Sequence, residues 1–165
     1  MTAKWAARLV FIIIIAALAF TGGCTDTDES KKLSLPDMQG NLVNLAELKG
    51  RVIMLNFFAT WCPPCREEIP DFIELQNELG PEGLTIVGIS MDTVPPEEVE
   101  AFRVSQKINY QVLYAGEQGD ELVAKMGGFR GIPTTFLIDR EGKIVGSFTG
   151  VAPKEAWTDQ IRKLL

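Results

Sequence analysis

The stretch Asn56-Phe57-Phe58-Ala59-Thr60-Trp61-Cys62-Pro63-Pro64-Cys65-Arg66-Glu67-Glu68-Ile69-Pro70 decides how this chain folds. Its first residues finish the apolar run Val52 to Phe58, which reads as a central strand buried on both faces. Its last residues open a helix-like segment at Arg66. A strand therefore delivers two cysteines to the start of a helix. There, unpaired N–H groups and the positive end of the backbone dipole favour a thiolate over a thiol. With Cys62 as N-cap, Pro63 and Pro64 fill the first two helical positions, where a missing N–H costs least, and Cys65 supplies the first free donor. The two sulfurs then lie within disulfide reach, with Cys62 the outward, reactive one and Cys65 placed to resolve a mixed disulfide on it. The implied chemistry is a dithiol that cycles.

Two plainer readings compete. A C-x-x-C pair is also half of a zinc site, but structural zinc wants four ligands, and the chain has no His and only one further cysteine, Cys24. No metal or other cofactor is expected. A purely structural disulfide would close so small a loop that it removes little unfolded-state entropy.

The long stretch above resembles the active-site signature of the thioredoxin superfamily, specifically its extracytoplasmic TlpA/ResA-like thiol-disulfide oxidoreductases. Gly131-Ile132-Pro133-Thr134-Thr135-Phe136-Leu137-Ile138-Asp139, followed by Gly142, is similar to the second signature of that family, the segment carrying a cis-proline. The resemblance implies an α/β thioredoxin fold over residues 33–165: a central mixed sheet flanked by helices, with an N-terminal hairpin and a central strand-helix insertion. It also implies that Pro133 packs in cis beside the two cysteines and that the backbone of Ile132 pairs with an extended substrate segment. Trp61, Pro63 and Pro64 would complete that substrate groove.

Ordinary thioredoxins carry a buried Asp six residues before the first cysteine, and Asn56 occupies that place here. An amide cannot accept the proton, so an acid-base partner must come from elsewhere. Glu68 lies three residues after Cys65 on the same helical flank as Ile69 and Phe72, whereas Glu67 points away. A carboxylate bordering an apolar face should have a raised pKa, which suits a group that takes the proton of Cys65 as its sulfur attacks. In the resembled family a Glu at this spacing is an active-site acid.

Residues 1–23 stand apart from the domain. Lys4 and Arg8 form a positive region, Leu9 to Phe20 is a 12-residue apolar run, and Thr21-Gly22-Gly23-Cys24 is a small-residue stretch ending in cysteine. This is an export signal, and its end resembles the lipobox of bacterial lipoproteins, whose cysteine is acylated. Thr21 stands where that motif usually has Leu, and an uncleaved membrane anchor is the alternative, although the run is short of the ~20 residues that span a bilayer. Either way the domain lies outside the cytoplasm, tethered at the membrane. Residues 24–32 comprise the lipidated Cys24 and the polar tether Thr25 to Lys32, whose eight residues reach at most ~29 Å.

The whole chain has 16 Lys+Arg, 22 Asp+Glu and a net charge of −6; without residues 1–23 the count is 14 against 22, a net of −8. So acidic a domain, without a basic cluster, is a poor nucleic-acid binder. Its expected partners are protein disulfides and a membrane thiol carrier as electron donor, and it is expected to be a monomer.

Farther along, Leu33 to Leu35 and Leu42 to Leu45 predict the hairpin, and Gly80-Pro81 should end the active-site helix, with a kink at Pro70. Leu84 to Met91 predicts a buried strand, with a helix start from Thr93 to Glu98, an extended piece at Tyr110 to Tyr114 and a short helix at Asp120 to Met126 closed by Gly127-Gly128. Thr134 to Asp139 and Lys143 to Phe148 predict a hairpin, and Pro153 to Leu165 a closing helix with Ala156, Trp157, Ile161 and Leu164 inward.

The function expected is reduction of protein disulfides, for example in cytochrome c maturation. The Pro63-Pro64 pair removes two donors from the first turn, which should leave the Cys62 pKa less depressed and the couple more reducing. A thiol peroxidase is the alternative enzyme, but peroxiredoxins set a Thr three residues before the peroxidatic cysteine, and Ala59 is there. A non-catalytic binding lipoprotein on the same fold is the alternative from another class.

Overall fold

A computed structural model describes residues 34–165. The proposed signal, the tether and Cys24 lie outside the described residues. Among those described, no helix is long and apolar enough to cross a membrane.

The chain opens with strands β1 (Ser34–Pro36) and β2 (Leu42–Asn44), an antiparallel pair whose turn is held by the Asp37 carboxylate accepting from the Gln39 and Asn41 backbone N–H groups. A 3-10 turn at Leu45–Leu48 leads to β3 (Val52–Phe58), in which all seven residues are buried. Helix α1 (Pro63–Leu79) follows, then β4 (Leu84–Ser90), α2 (Pro96–Ser105) and β5 (Gln111–Tyr114). Helix α3 (Gly119–Lys125) ends at Gly127 and Gly128, whose φ values of 84° and 76° a residue with a Cβ would rarely adopt. Strands β6 (Thr134–Ile138) and β7 (Ile144–Thr149) and helix α4 (Lys154–Arg162) close the chain.

The main sheet has the order β5-β4-β3-β6-β7, with β3 and β4, and β4 and β5, parallel and the two remaining pairs antiparallel. The mixed sheet with flanking helices and N-terminal hairpin is the thioredoxin-type architecture the sequence implies. The hairpin docks on the edge of the sheet through a bridge between Asp37 and Leu113.

Alternation along β3 divides the core. Val52, Met54 and Phe58 face α1 and α4, packing with Ile69, Phe72, Leu75, Trp157 and Ile161. Ile53, Leu55 and Phe57 face the opposite layer, with Leu35, Leu122 and Phe136. The buried positions of α1, Cys65, Glu68, Ile69, Phe72, Leu75 and Leu79, recur every three or four residues, as one helix face against a sheet requires. Pro70 lies inside this continuous helix on its exposed side, where its missing N–H is least costly. In α4 the inward set is narrower than the sequence suggests. Trp157 and Ile161 are buried and Leu164 packs against the core, whereas Ala156 is exposed, because a nine-residue helix presents only one narrow stripe.

Candidate active site

Strand β3 ends at Phe58, and four residues, Ala59 to Cys62, carry the chain to α1. Cys62 is the N-cap: its backbone is extended (φ −86°, ψ 108°), and its Sγ accepts from the Cys65 N–H at 3.4 Å. Pro63 and Pro64 follow at the first helical positions. Cys62 and Cys65 are joined in a disulfide with Cα atoms 5.3 Å apart. The pair is thus in its oxidised state.

Cys62 is not outward as the sequence suggests; only 3% of the residue is exposed, and 1% of Cys65. The second signature supplies the cover. The Ile132–Pro133 peptide is cis, Pro133 is buried, and the Ile132 carbonyl oxygen lies 3.9 Å from Cys62 Sγ. Trp61 is 67% exposed, and Pro63 and Pro64 are exposed beside it. Of the five residues expected to form the groove, Ile132 sets its carbonyl against Cys62, Pro133 follows it through the cis peptide, and Trp61, Pro63 and Pro64 are exposed at the helix tip.

Glu68 is one turn beyond Cys65 on the inner face of α1 and is 1% exposed. Burial pushes its carboxyl up to about 8, Asn56's hydrogen bond pulls it back in part, and the neighbouring Asp71 charge adds to the rise. The Asn56 amide donates to Glu68 Oε1 at 2.7 Å and to Thr135 Oγ1 at 3.0 Å. Glu68 Oε2 has no hydrogen-bond partner. Tyr110, 7% exposed, also has its hydroxyl pKa raised by burial, with the Glu68 charge adding to the effect.

Sheet register explains how Asn56 comes to this place. It pairs with Thr135 across β3 and β6, and with Gly88 across β3 and β4, and its side chain shares the face of Met54 and Phe58 toward α1. The sequence reading sets Asn56 aside because it cannot take a proton. What it does in the structure is donate to the carboxyl of Glu68. The signal was a lone amide in an apolar strand, since a buried amide needs partners. Thr135 carried no such signal.

This arrangement can exchange disulfides: two sulfurs at a helix tip, a carboxyl with a pKa in the thiol range one turn below, and exposed apolar surface around them. Comparison with known proteins points the same way. Residues 25–165 match the family described as Redoxin. The chain is 27% identical to the thiol-disulfide oxidoreductase ResA of Bacillus thuringiensis subsp. konkukian, over 94% of this chain and 93% of that one. It is 29% identical to ResA of Bacillus subtilis, covering 86% of this chain and 82% of the relative. The crystal structure of a thiol:disulfide interchange protein of the thioredoxin family from Chlorobium tepidum TLS superposes with a TM-score of 0.71 at 34% identity, over 80% of this chain and 92% of the other. By sequence, fold and the cysteine pair at the tip of α1, the chain belongs to the redoxin family and is a thiol-disulfide oxidoreductase of the ResA type.

Proposed function

We propose that this chain reduces protein disulfides outside the cytoplasm while tethered to a membrane. The observation that carries the reading is the disulfide-forming pair Cys62 and Cys65 set one helical turn from Glu68, a buried carboxyl whose Oε2 is unpartnered. Protein disulfides are the substrate class suggested by the relative named a thiol:disulfide interchange protein.

In the working direction, the Cys62 thiolate attacks one sulfur of a substrate disulfide, forming a mixed disulfide and expelling the other sulfur as a thiolate. Cys65 then gives its proton to Glu68 and attacks Cys62 Sγ, releasing the second substrate thiolate and closing the Cys62–Cys65 disulfide. The substrate gains two electrons and the pair loses two. A carboxyl with an ordinary pKa would be a far weaker base than a thiolate; one raised to about 8 matches the group it deprotonates. Trp61, Pro63, Pro64, Ile132 and Pro133 hold an extended substrate segment against Cys62, and the missing N–H groups of Pro63 and Pro64 keep the couple reducing. A membrane thiol carrier returns the pair to the dithiol.

Acylation at Cys24 is the tether, and residues 1–23 are the export signal removed before it. The domain 33–165 acts as a monomer, and cytochrome c maturation is a process in which such a reductase serves. The experiment is to express the full chain with Cys65→Ser and to look for a reducible adduct on Cys62. A partner protein held by a mixed disulfide is expected, and none appearing would remove the reductase reading. Cys24→Ala should release the protein from membranes; retention would instead mean that the N-terminal segment is an uncleaved anchor.

A further inference from the structure

The cysteine pair lies at one end of the main sheet, where register brings together the ends of β3 and β4, the start of β6 and the end of β7. The four loops that leave or enter the sheet there, residues 59–62, 91–95, 126–133 and 150–153, hold two charged side chains, Asp92 and Arg130. Asp92 is fully buried, and both of its oxygens are taken: the Thr60 N–H and hydroxyl and the Ser90 hydroxyl donate to them. The first turn of α1 adds no acidic residue. Residues 24–165 carry 22 acidic side chains against 14 basic ones, yet these loops present one exposed cation and no exposed carboxylate.

That cation has a fixed backbone and a free head. On one side, the Phe129 ring packs 4.7 Å from the ring of Phe57 and 5.9 Å from that of Phe136. On the other, the Gly131 carbonyl accepts from the Thr134 hydroxyl at 2.7 Å, and the Ile132 carbonyl lies 3.9 Å from Cys62 Sγ. Between them Arg130 is exposed and makes no hydrogen bond or ion pair. Arg66, next to Cys65, is committed elsewhere: its guanidinium lies over the Phe102 ring of α2, 5.6 Å from the centroid. A guanidinium with free donors on a pinned backbone suits a carboxylate, which it can bind through two parallel hydrogen bonds. Arg130 and Ile132 are two residues apart, a span of at most ~7 Å, so a carboxylate meeting Arg130 lies within about two residues of the substrate cysteine.

We propose that Arg130 is a specificity-determining residue that favours substrate disulfides whose cysteine has an acidic residue close by in sequence. This rests on the reading of the site as one that reduces disulfides, and adds the chemistry by which it selects them. The acidic excess of the rest of the domain opposes such a substrate only weakly, because exposed charges more than ~8 Å apart are largely screened at physiological salt.

The test mixes reduced full-length protein in detergent with symmetrical disulfides of three synthetic peptides, which carry Glu, Gln or Lys two residues from a single cysteine. In each reaction the protein dithiol and one peptide disulfide give the protein disulfide and two peptide thiols, read by acid quench and alkylation. Each rate is divided by that with dithiothreitol, a neutral dithiol, which removes differences in the peptides' own reactivity. The Glu peptide should be reduced about fivefold faster than the Lys peptide, on the scale of an exposed ion pair, and ~0.5 M salt should erase the difference. Arg130→Gln should bring the ratio to about one, Arg130→Glu should reverse it, and Arg130→Lys should keep its direction. A ratio in Arg130→Gln equal to the parent's would overturn the proposal, even if all three peptides slowed together, since that would be an effect on the sulfur and not on the choice of substrate. A parent that reduces none of the peptides would overturn the reductase reading as well. A parent that reduces all three at one rate, or the Lys peptide fastest, would overturn this proposal alone.

Discussion

The inner face of α1 and the C-terminal end of β4 each bury a carboxyl group beside the cysteine pair, Glu68 at 1% exposure and Asp92 at 0%. They are treated oppositely. Asp92 has both oxygens occupied by N–H and O–H donors from Thr60 and Ser90. Glu68 receives one bond from Asn56 and keeps Oε2 unpartnered, and its pKa is pushed up to about 8. Burial alone therefore does not define a catalytic carboxyl. A saturated one is an anchor, and an incompletely satisfied one is free to exchange a proton, at a cost to stability that the surrounding core must offset.

The largest expected effect bears on the proton. Glu68→Gln should slow resolution of a Cys62 mixed disulfide by about 10²-fold, within the usual range for general acid-base catalysis. The rise of the parent rate with pH through about 8 should vanish with it; stopped-flow measurement across pH 6 to 9 decides, and an unchanged profile would reduce Glu68 to the same standing as Asp92.

Stability should separate the two groups next. The folded-state pKa of Glu68 lies above its ordinary value of 4.5, so between pH 4.5 and about 8 the folded chain keeps a proton that the unfolded chain has lost, and stability falls as pH rises. From pH 4.5 to pH 7, Glu68→Gln should gain on the parent by about 3 kcal/mol in denaturant titrations. Asp92→Asn should do the reverse, losing about 2 kcal/mol, because an amide N–H₂ set against the Thr60 and Ser90 donors leaves them without an acceptor. Equal signs for the two variants would erase the distinction.

A smaller effect probes the hand that holds Glu68. Asn56→Leu removes the one bond that lowers the Glu68 pKa, so the kinetic limb should move up from about 8 by about one pH unit. Thr135→Val is the mildest change. It deletes the second acceptor of the Asn56 amide at nearly constant volume and should cost about 1 kcal/mol, with a shift of the limb too small to reverse its order against Asn56→Leu.

Much of this was written locally. The seven apolar residues of β3, the cap at Cys62 followed by two prolines, and the stop of α1 before Gly80 follow from period, propensity and the absence of N–H groups. Pro133 in cis came from resemblance, since its neighbours in sequence do not require it. Asn56 was read with the wrong emphasis and Asp92 was not singled out. Their partners lie 12 and 32 residues away, and only the register of β3 on β6 and the meeting of two strand ends bring them together. Cys62 looked exposed because a helix tip usually is, and its cover comes from Ile132, 70 residues on.

By itself the sequence determined the chemistry of this protein, because two cysteines at a strand-to-helix junction form a reactive pair through local backbone geometry alone. Tertiary structure decided how that pair is run: which carboxyl is left short of hydrogen bonds, which is saturated, and what lies over the sulfur. Those are differences in desolvation and partner count, and such differences exist only once distant segments have excluded water from a shared interior.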